Sequence, residues 1–162
     1  ALIIALPLLL GPAFAWLGAR LGRLGSAWGA AAVTALALAF ALALVPDVLA
    51  GSVFTWRAQW LPEAGLNLSL RVDGLALLFV LLVLAIGLLV ILYARYYLAP
   101  EDSLGRFYAT LMVFMAAMLG IVMSDNLLLL AVFWELTGIT SFLLIGYWSG
   151  RAESRQGARM AL

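Results

Sequence analysis

Residues 127–147 read LLLLAVFWELTGITSFLLIGY, an apolar stretch that holds one charged side chain, Glu135. At about 1.5 Å per residue, a helix of this length crosses the ~30 Å hydrocarbon core of a bilayer. Its apolar residues surround the predicted helix instead of forming one stripe, which is typical of a helix whose solvent is lipid. The stretch therefore predicts a membrane-spanning helix with an acidic residue in its interior.

The whole chain has the same apolar character. Of its 162 residues, 67% are hydrophobic and 10% are charged, whereas a soluble domain carries about 25% charged residues. There is no Cys or His, which excludes disulfides, Cys/His metal sites and His-dependent nucleophiles. The net charge is +1, without a basic run. We therefore expect contact with a lipid bilayer, no cofactor or metal, and no nucleic-acid partner.

Four further apolar stretches are long enough to cross the membrane. We predict an all-α polytopic protein whose first five or so transmembrane helices lie at residues 2–19, 27–45, 74–94, 107–123 and 127–147, with a sixth beginning near Ala158. The long connection at 46–72 contains Pro, Gly, Asn and Ser and predicts an ordered exterior loop. The chain begins without Met and ends as an apolar run starts, so we expect a segment of a longer protein.

The arginines are distributed unevenly between the two sides of this topology. The connections that follow the first, third and fifth predicted helices hold seven of the nine: Arg20, Arg23, Arg95, Arg106, Arg151, Arg155 and Arg159. The intervening connections hold Arg57 and Arg71. Because cytoplasmic loops carry an excess of basic residues, the pattern predicts that the amino terminus lies outside.

Glu135 is the acidic residue that does not fit a lipid-embedded helix. It lies nine residues into the fifth predicted span, about 13 Å deep. An ionised carboxylate at that depth costs about 2.5 to 3.5 kcal/mol, so we expect it to be protonated or paired. Such a group is suited to carrying protons through the membrane. The alternative is a neutral carboxyl that is hydrogen-bonded between helices and has a structural role.

The residues around Glu135 suggest room for a neighbour. On a helix, Gly138 and Gly146 project on the same side as Glu135, where another helix or water can approach. The hydroxyls of Thr137, Thr140 and Ser141 fall on the opposite side, where they can bond to backbone or adjacent helices.

Asp73 and Asp125 each stand just before an apolar run. Such residues accept hydrogen bonds from the first free backbone N–H groups of a helix and suit the positive end of its dipole. Helix capping is the favoured interpretation for both, and a role at an ion entrance is the alternative.

Several short motifs follow one another in the order of a known family. They are Val72-Asp73-Gly74-Leu75, Tyr93-Ala94-Arg95-Tyr96-Tyr97, Ser124-Asp125-Asn126-Leu127, Phe133-Trp134-Glu135-Leu136-Thr137 and the run from Ser141 to Trp148. Together they resemble the amino-terminal region of the proton-translocating antiporter-like subunits. Leu136-Thr137 and the segment 154–158 resemble the A subunits of the Mrp-type sodium/proton antiporters more than their homologue, chain 5 of complex I.

This resemblance implies three leading transmembrane helices in residues 1–106 and the start of the first antiporter repeat in residues 107–162. It implies that Glu135 belongs to a proton path and works with a lysine on a later helix; this chain has no Lys. The implied function is exchange of external protons for cytoplasmic sodium across the cell (inner) membrane, with other membrane subunits as partners. The alternative is a proton-pumping membrane-arm subunit of complex I or of a membrane-bound hydrogenase.

Overall fold

A computed structural model of the chain describes residues 1–61, 66–98, 104–148 and 157. Within these ranges, the side chains of 11, 12, 14–21, 23, 24, 61 and 66 are not described. The sixth helix predicted near Ala158, and the arginines at 151, 155 and 159, lie outside the described residues.

The described chain is mostly helical, as the sequence predicts. In chain order its elements are α1 (Leu2–Ala43), α2 (Val45–Leu49), β1 (Phe54–Leu61), β2 (Leu66–Val72), α3 (Gly74–Tyr97), α4 (Leu104–Met123), α5 (Leu127–Ile145) and a 3-10 turn (Gly146–Trp148). Helix α1 is interrupted at Gly22, whose φ of 66° lies in the left-handed region that favours glycine. Gly22 therefore divides α1 near the boundary between the first two predicted spans.

Four segments of the described residues are long and apolar enough to cross a bilayer: Gly25–Leu49, Gly74–Tyr97, Leu104–Met123 and Leu127–Ile145. They correspond to the predicted second to fifth helices within a few residues. The first predicted span, 2–19, lies in the helical backbone of α1, but many of its side chains are outside the described set. The architecture is that of a multi-pass membrane protein.

Helix α4 forms the centre of the bundle and packs against α1, α3 and α5. Its buried residues include Tyr108, Met112 and Leu119. Two glycines allow close packing on it: Met115 of α4 occupies the space beside Gly87 of α3, and the Phe133 ring of α5 occupies the space beside Gly120 of α4. Small residues at such contacts are how helices associate in lipid, where the hydrophobic effect offers little.

The ends of the helices form two distinct layers. At one end, the Arg95 guanidinium lies 5.2 Å from the ring centroids of both Trp28 and Tyr96, and the rings of Phe107 and Tyr147 pack edge to face at 5.6 Å. This end joins the start of the Gly25–Leu49 span, the end of α3, the start of α4 and the end of α5. The spans therefore alternate in direction, as the topology prediction requires.

The other end carries a β-hairpin where the sequence predicted a loop. Strands β1 and β2 pair antiparallel, from Phe54 opposite Val72 to Gln59 opposite Asn67. Apolar and polar residues alternate along both strands, so one face is apolar and the other polar. This period-two pattern predicts strands. The Pro, Gly, Asn and Ser content of residues 46–72 instead favoured a loop. The structure has a short helix and a hairpin there.

Candidate functional site

Helix α5 presents one face to the bundle, and the described residues leave its other face uncovered. Asn126 caps it, with its side-chain oxygen accepting a hydrogen bond from Leu128 N at 2.8 Å. Leu129, Phe133 and Thr140 follow at helical spacing and are its inward side: Leu129 and Thr140 are buried, and Phe133 packs on α4. The opposite side includes Trp134, which is 64% exposed.

Glu135 lies on the uncovered side of α5 and is exposed in this chain. The ion pairs found among the described residues join Arg57 to Asp125 and Arg71 to Asp73, and neither includes Glu135. The arginines whose side chains are described belong to the hairpin or to the helix ends. This part of the chain therefore supplies no cation to a carboxylate in the middle of a spanning helix.

Gly138, which the sequence predicts to make room beside Glu135, borders open space among the described residues. A Cβ atom added to Gly138 would meet nothing within 4 Å, so a helix, a side chain or water can approach the backbone there. Gly146 differs from the prediction: α5 ends at Ile145, and Gly146 begins the 3-10 turn. Its role in helix packing beside Glu135 stays a prediction.

Two threonine hydroxyls of α5 bond to the helix itself. Thr137 Oγ1 donates to the carbonyl of Trp134 at 2.6 Å, and Thr140 Oγ1 donates to the carbonyl of Leu136 at 2.7 Å. Both hydroxyls thereby have acceptors within α5 itself, as the polar groups of a spanning helix require.

Asp73 and Asp125 occupy different environments at the hairpin end. Asp73 is the N-cap of α3: its Oδ1 accepts a hydrogen bond from Ala76 N at 3.0 Å, and its Oδ2 lies 3.4 Å from Arg71 Nε. A cleft of about 330 Å³ opens beside it, lined by Arg71, Asp73 and Ser124 among others. Asp73 thus stabilises the start of α3 and faces an open cleft.

Asp125 is not the cap of α5, which is Asn126. Its Oδ2 instead lies 3.3 Å from Arg57 Nη2 of β1 and accepts a hydrogen bond from Ser69 Oγ of β2 at 3.3 Å. Its backbone N–H donates to the carbonyl of Ser69 at 2.9 Å. The capping interpretation of Asp125 is therefore wrong, because a residue that directs its carboxylate to the hairpin cannot also close the first turn of α5.

Sequence reasoning missed Arg57 and Ser69 as partners of this turn. The alternation in 54–60 and 66–72 would have placed both on the polar face of a hairpin, directly across from each other. Their contacts with Asp125 depend on tertiary packing, which local sequence patterns do not predict.

Comparison with known proteins identifies the family. Residues 60–108 match the family described as NADH-ubiquinone oxidoreductase (complex I), chain 5 N-terminus. A probable K⁺/H⁺ antiporter A/B subunit of Rhizobium meliloti is 56% identical over 135 residues, which are 83% of this chain and 14% of that protein. A Na⁺/H⁺ antiporter A1 subunit of Staphylococcus aureus is 42% identical over 140 residues, 86% of this chain and 18% of that protein.

Solved structures give the same result. The Mrp complex of a Dietzia species contains a chain with a TM-score of 0.81 and 30% identity, matched over 98% of this chain and 17% of that one. An archaeal membrane-bound sulfane sulfur reductase shares the fold, with a TM-score of 0.76 and 22% identity over 98% of this chain and 24% of the other.

Sequence and fold together place the chain among the antiporter-like membrane subunits. Within that class, it is homologous to part of the A subunits of the Mrp-type cation/proton antiporters. The chain spans less than a fifth of the length of the curated relatives named above, 14% and 18%.

Proposed function

We propose that this chain is part of a multisubunit cation/proton antiporter that exchanges external protons for cytoplasmic sodium across the cell membrane. The observation that carries the proposal is Glu135, an acidic residue at the middle of a spanning helix, on a side that this chain leaves open beside Gly138. Intramembrane acids of this kind characteristically belong to ion paths. The names of the relatives, which are cation/proton antiporter subunits, support the same class.

In the proposed mechanism, Glu135 alternates between a proton-loaded state and a state paired with a cation. A carboxylate is stable at that depth only with a proton or an opposite charge nearby. The described arginines lie in the hairpin or at helix ends, so the proposal assigns the cation to a later helix or to another membrane subunit. The resemblance implies a lysine in that place. In this proposal residues 107–162 begin the first antiporter repeat.

The second candidate is a proton-pumping membrane-arm subunit of complex I or of a hydrogenase. It is favoured by one observation, the match of residues 60–108 to the complex I chain 5 family. The two candidates differ in the process to which proton movement is coupled. In the antiporter it is the opposite movement of a cation, and in the pump it is electron transfer elsewhere in the complex.

The test is Glu135→Gln in the full subunit within its complex. Glutamine keeps the shape and hydrogen bonding of glutamate but cannot titrate, so proton exchange should fall by about 10²-fold or more. Exchange is followed with a pH-sensitive dye in inverted vesicles that hold a pH gradient, on addition of sodium or potassium without an electron donor. Glu135→Asp should retain part of the activity, and Asp47→Asn, at the distant start of α2, should retain all of it.

Full exchange in an assembled Glu135→Gln complex would reduce this residue to a structural role. A vesicle response that requires an electron donor instead of an added cation would favour the redox-driven pump.

The proposed orientation places the amino terminus and the hairpin outside. It is supported by the Arg distribution in the sequence and by the alternating directions of the spans. Cysteines placed singly at Gln59 and Ser154 should react differently with an impermeant thiol reagent in intact cells: Gln59→Cys is labelled and Ser154→Cys is not. The reverse pattern would invert the topology.

A further inference from the structure

We propose that Asp125 is a positioning residue that ties the start of α5 to the hairpin and thereby sets the place of Glu135; the inference rests on the proposed function. The contacts at Asp125 belong to one short turn. Its carboxylate meets Arg57 and Ser69, its backbone N–H bonds to the Ser69 carbonyl, and a further backbone bridge joins Leu70 to Ser124. Both strands of the hairpin are thus connected to the turn between α4 and α5.

These contacts are important because α5 has limited support elsewhere. It packs against α4 on one side and meets β2 near its amino-terminal end, while 11% of its span is buried in this chain. The next residue after Asp125 is Asn126, whose side chain caps α5. A shift of the turn therefore moves the first turn of α5 and, because a helix is rigid along its axis, also moves Glu135.

The contributions of the two side-chain partners differ. The Arg57 side chain is 74% exposed, so its ion pair with Asp125 is screened by water and salt. Ser69 is buried, so its hydrogen bond to Asp125 is shielded from water and contributes more than the exposed ion pair. The loss of Ser69 Oγ should consequently move α5 more than the loss of the Arg57 charge.

The hairpin itself is anchored to the helices by its apolar face. Leu70 and Val72 of β2 are buried in the common core, and Val72 is followed by Asp73 at the start of α3. The hairpin therefore provides a fixed base, so that a bond from β2 to Asp125 holds the turn relative to the bundle. A proton site requires this kind of support, since displacement of a reacting group by about 1 Å can cost 10²-fold in rate.

The first measurement is cation-dependent proton exchange in the full complex. Asp125→Ala should lower exchange by about tenfold, Ser69→Ala by less, and Arg57→Gln least. Ser69→Thr keeps the hydroxyl and should restore exchange, which loss of packing alone does not predict. Asp47→Asn serves as the matched control at the same end. Normal exchange in both Asp125→Ala and Ser69→Ala would overturn the inference.

The second measurement does not depend on transport. Spin labels at Gln59 on β1 and Val132 on the open side of α5 report the distance between the hairpin and the helix in the purified complex. The distance distribution should broaden or shift with Asp125→Ala and stay unchanged with Asp47→Asn. An unchanged distribution in Asp125→Ala would overturn the inference even if Glu135 proves essential. A changed distribution supports it even if Glu135→Gln remains fully active, in which case the proposed function alone fails.

Discussion

Helices α4 and α5 are alike in length and hydropathy but differ in how far this chain covers them. Their spans have mean hydropathies of 1.8 and 2.0, yet 56% of the first is buried and 11% of the second. Helix α4 carries small residues such as Ala116 and Gly120 toward its neighbours, whereas α5 carries Glu135 on its outer side. In lipid, therefore, hydropathy identifies a span, whereas small residues mark the helix that packs at the centre and an ionisable residue lies on the helix that is mostly uncovered.

The largest expected effect on folding is at the joint between the two helices. In Gly120→Leu, the new side chain would occupy the space of the Phe133 ring, so α5 must separate from α4 at a cost of about 1 to 3 kcal/mol. The thermal unfolding temperature of the purified complex should fall, together with its amount in the membrane. Gly138→Leu, in open space on the other side of α5, should leave both unchanged. An unaltered Gly120→Leu complex would show that Phe133 has another place to pack.

A transport effect without a folding effect is expected at Gly138. No described atom lies near its missing Cβ, so Gly138→Leu should assemble but obstruct the approach to Glu135, lowering exchange by about tenfold. Val132→Leu adds bulk at another exposed position of α5 and is the matched control. Normal exchange in Gly138→Leu would show that the open space is not used.

The smallest effects on stability are expected at the helix caps. Their effects on proton exchange should nevertheless differ between α3, which the bundle covers more fully, and α5, which is mostly uncovered. Asp73→Ala and Asn126→Ala each remove a side-chain cap and should lower stability by about 1 kcal/mol. The start of α3 is held by the bundle, so Asp73→Ala should leave exchange nearly normal. Asn126→Ala frees the helix that bears Glu135 and should lower exchange as well. The unfolding temperature of each variant is measured to show that both lose similar stability. Equal proton exchange in the two variants would then contradict the expected difference between α3 and α5.

The spans could be predicted from sequence because lipid requires apolar side chains along the whole length of a spanning helix. Predicted bounds of 74–94, 107–123 and 127–147 compare with Gly74–Tyr97, Leu104–Met123 and Leu127–Ile145. The depth of Glu135 followed from the same count. The hairpin was missed because turn-forming residues outweighed an alternation that was visible in residues 54–60 and 66–72.

Pairwise contacts could not be predicted in this way. Nothing local distinguishes Asp73, which caps α3, from Asp125, which bonds to Ser69 across the fold. The side of α5 that faces α4 likewise depends on the Gly120–Phe133 contact, which joins residues of two helices. The roles of Glu135 and of residues 107–162 as the start of a repeat remain predictions.

The central position of α4 has a consequence for the order in which the protein is made. Helices α1 and α3 are synthesised before α4, the helix on which they pack. Their inner faces therefore contact lipid until α4 is inserted. This exposure to lipid costs little free energy, because acyl chains are as apolar as the side chains that later replace them. Two hydroxyls of α1 also have acceptors within that helix: Ser26 Oγ donates to the Gly22 carbonyl and Thr34 Oγ1 to the Ala30 carbonyl, both at 2.9 Å. These two hydroxyls therefore need no second helix at insertion, and packing can follow when α4 is inserted.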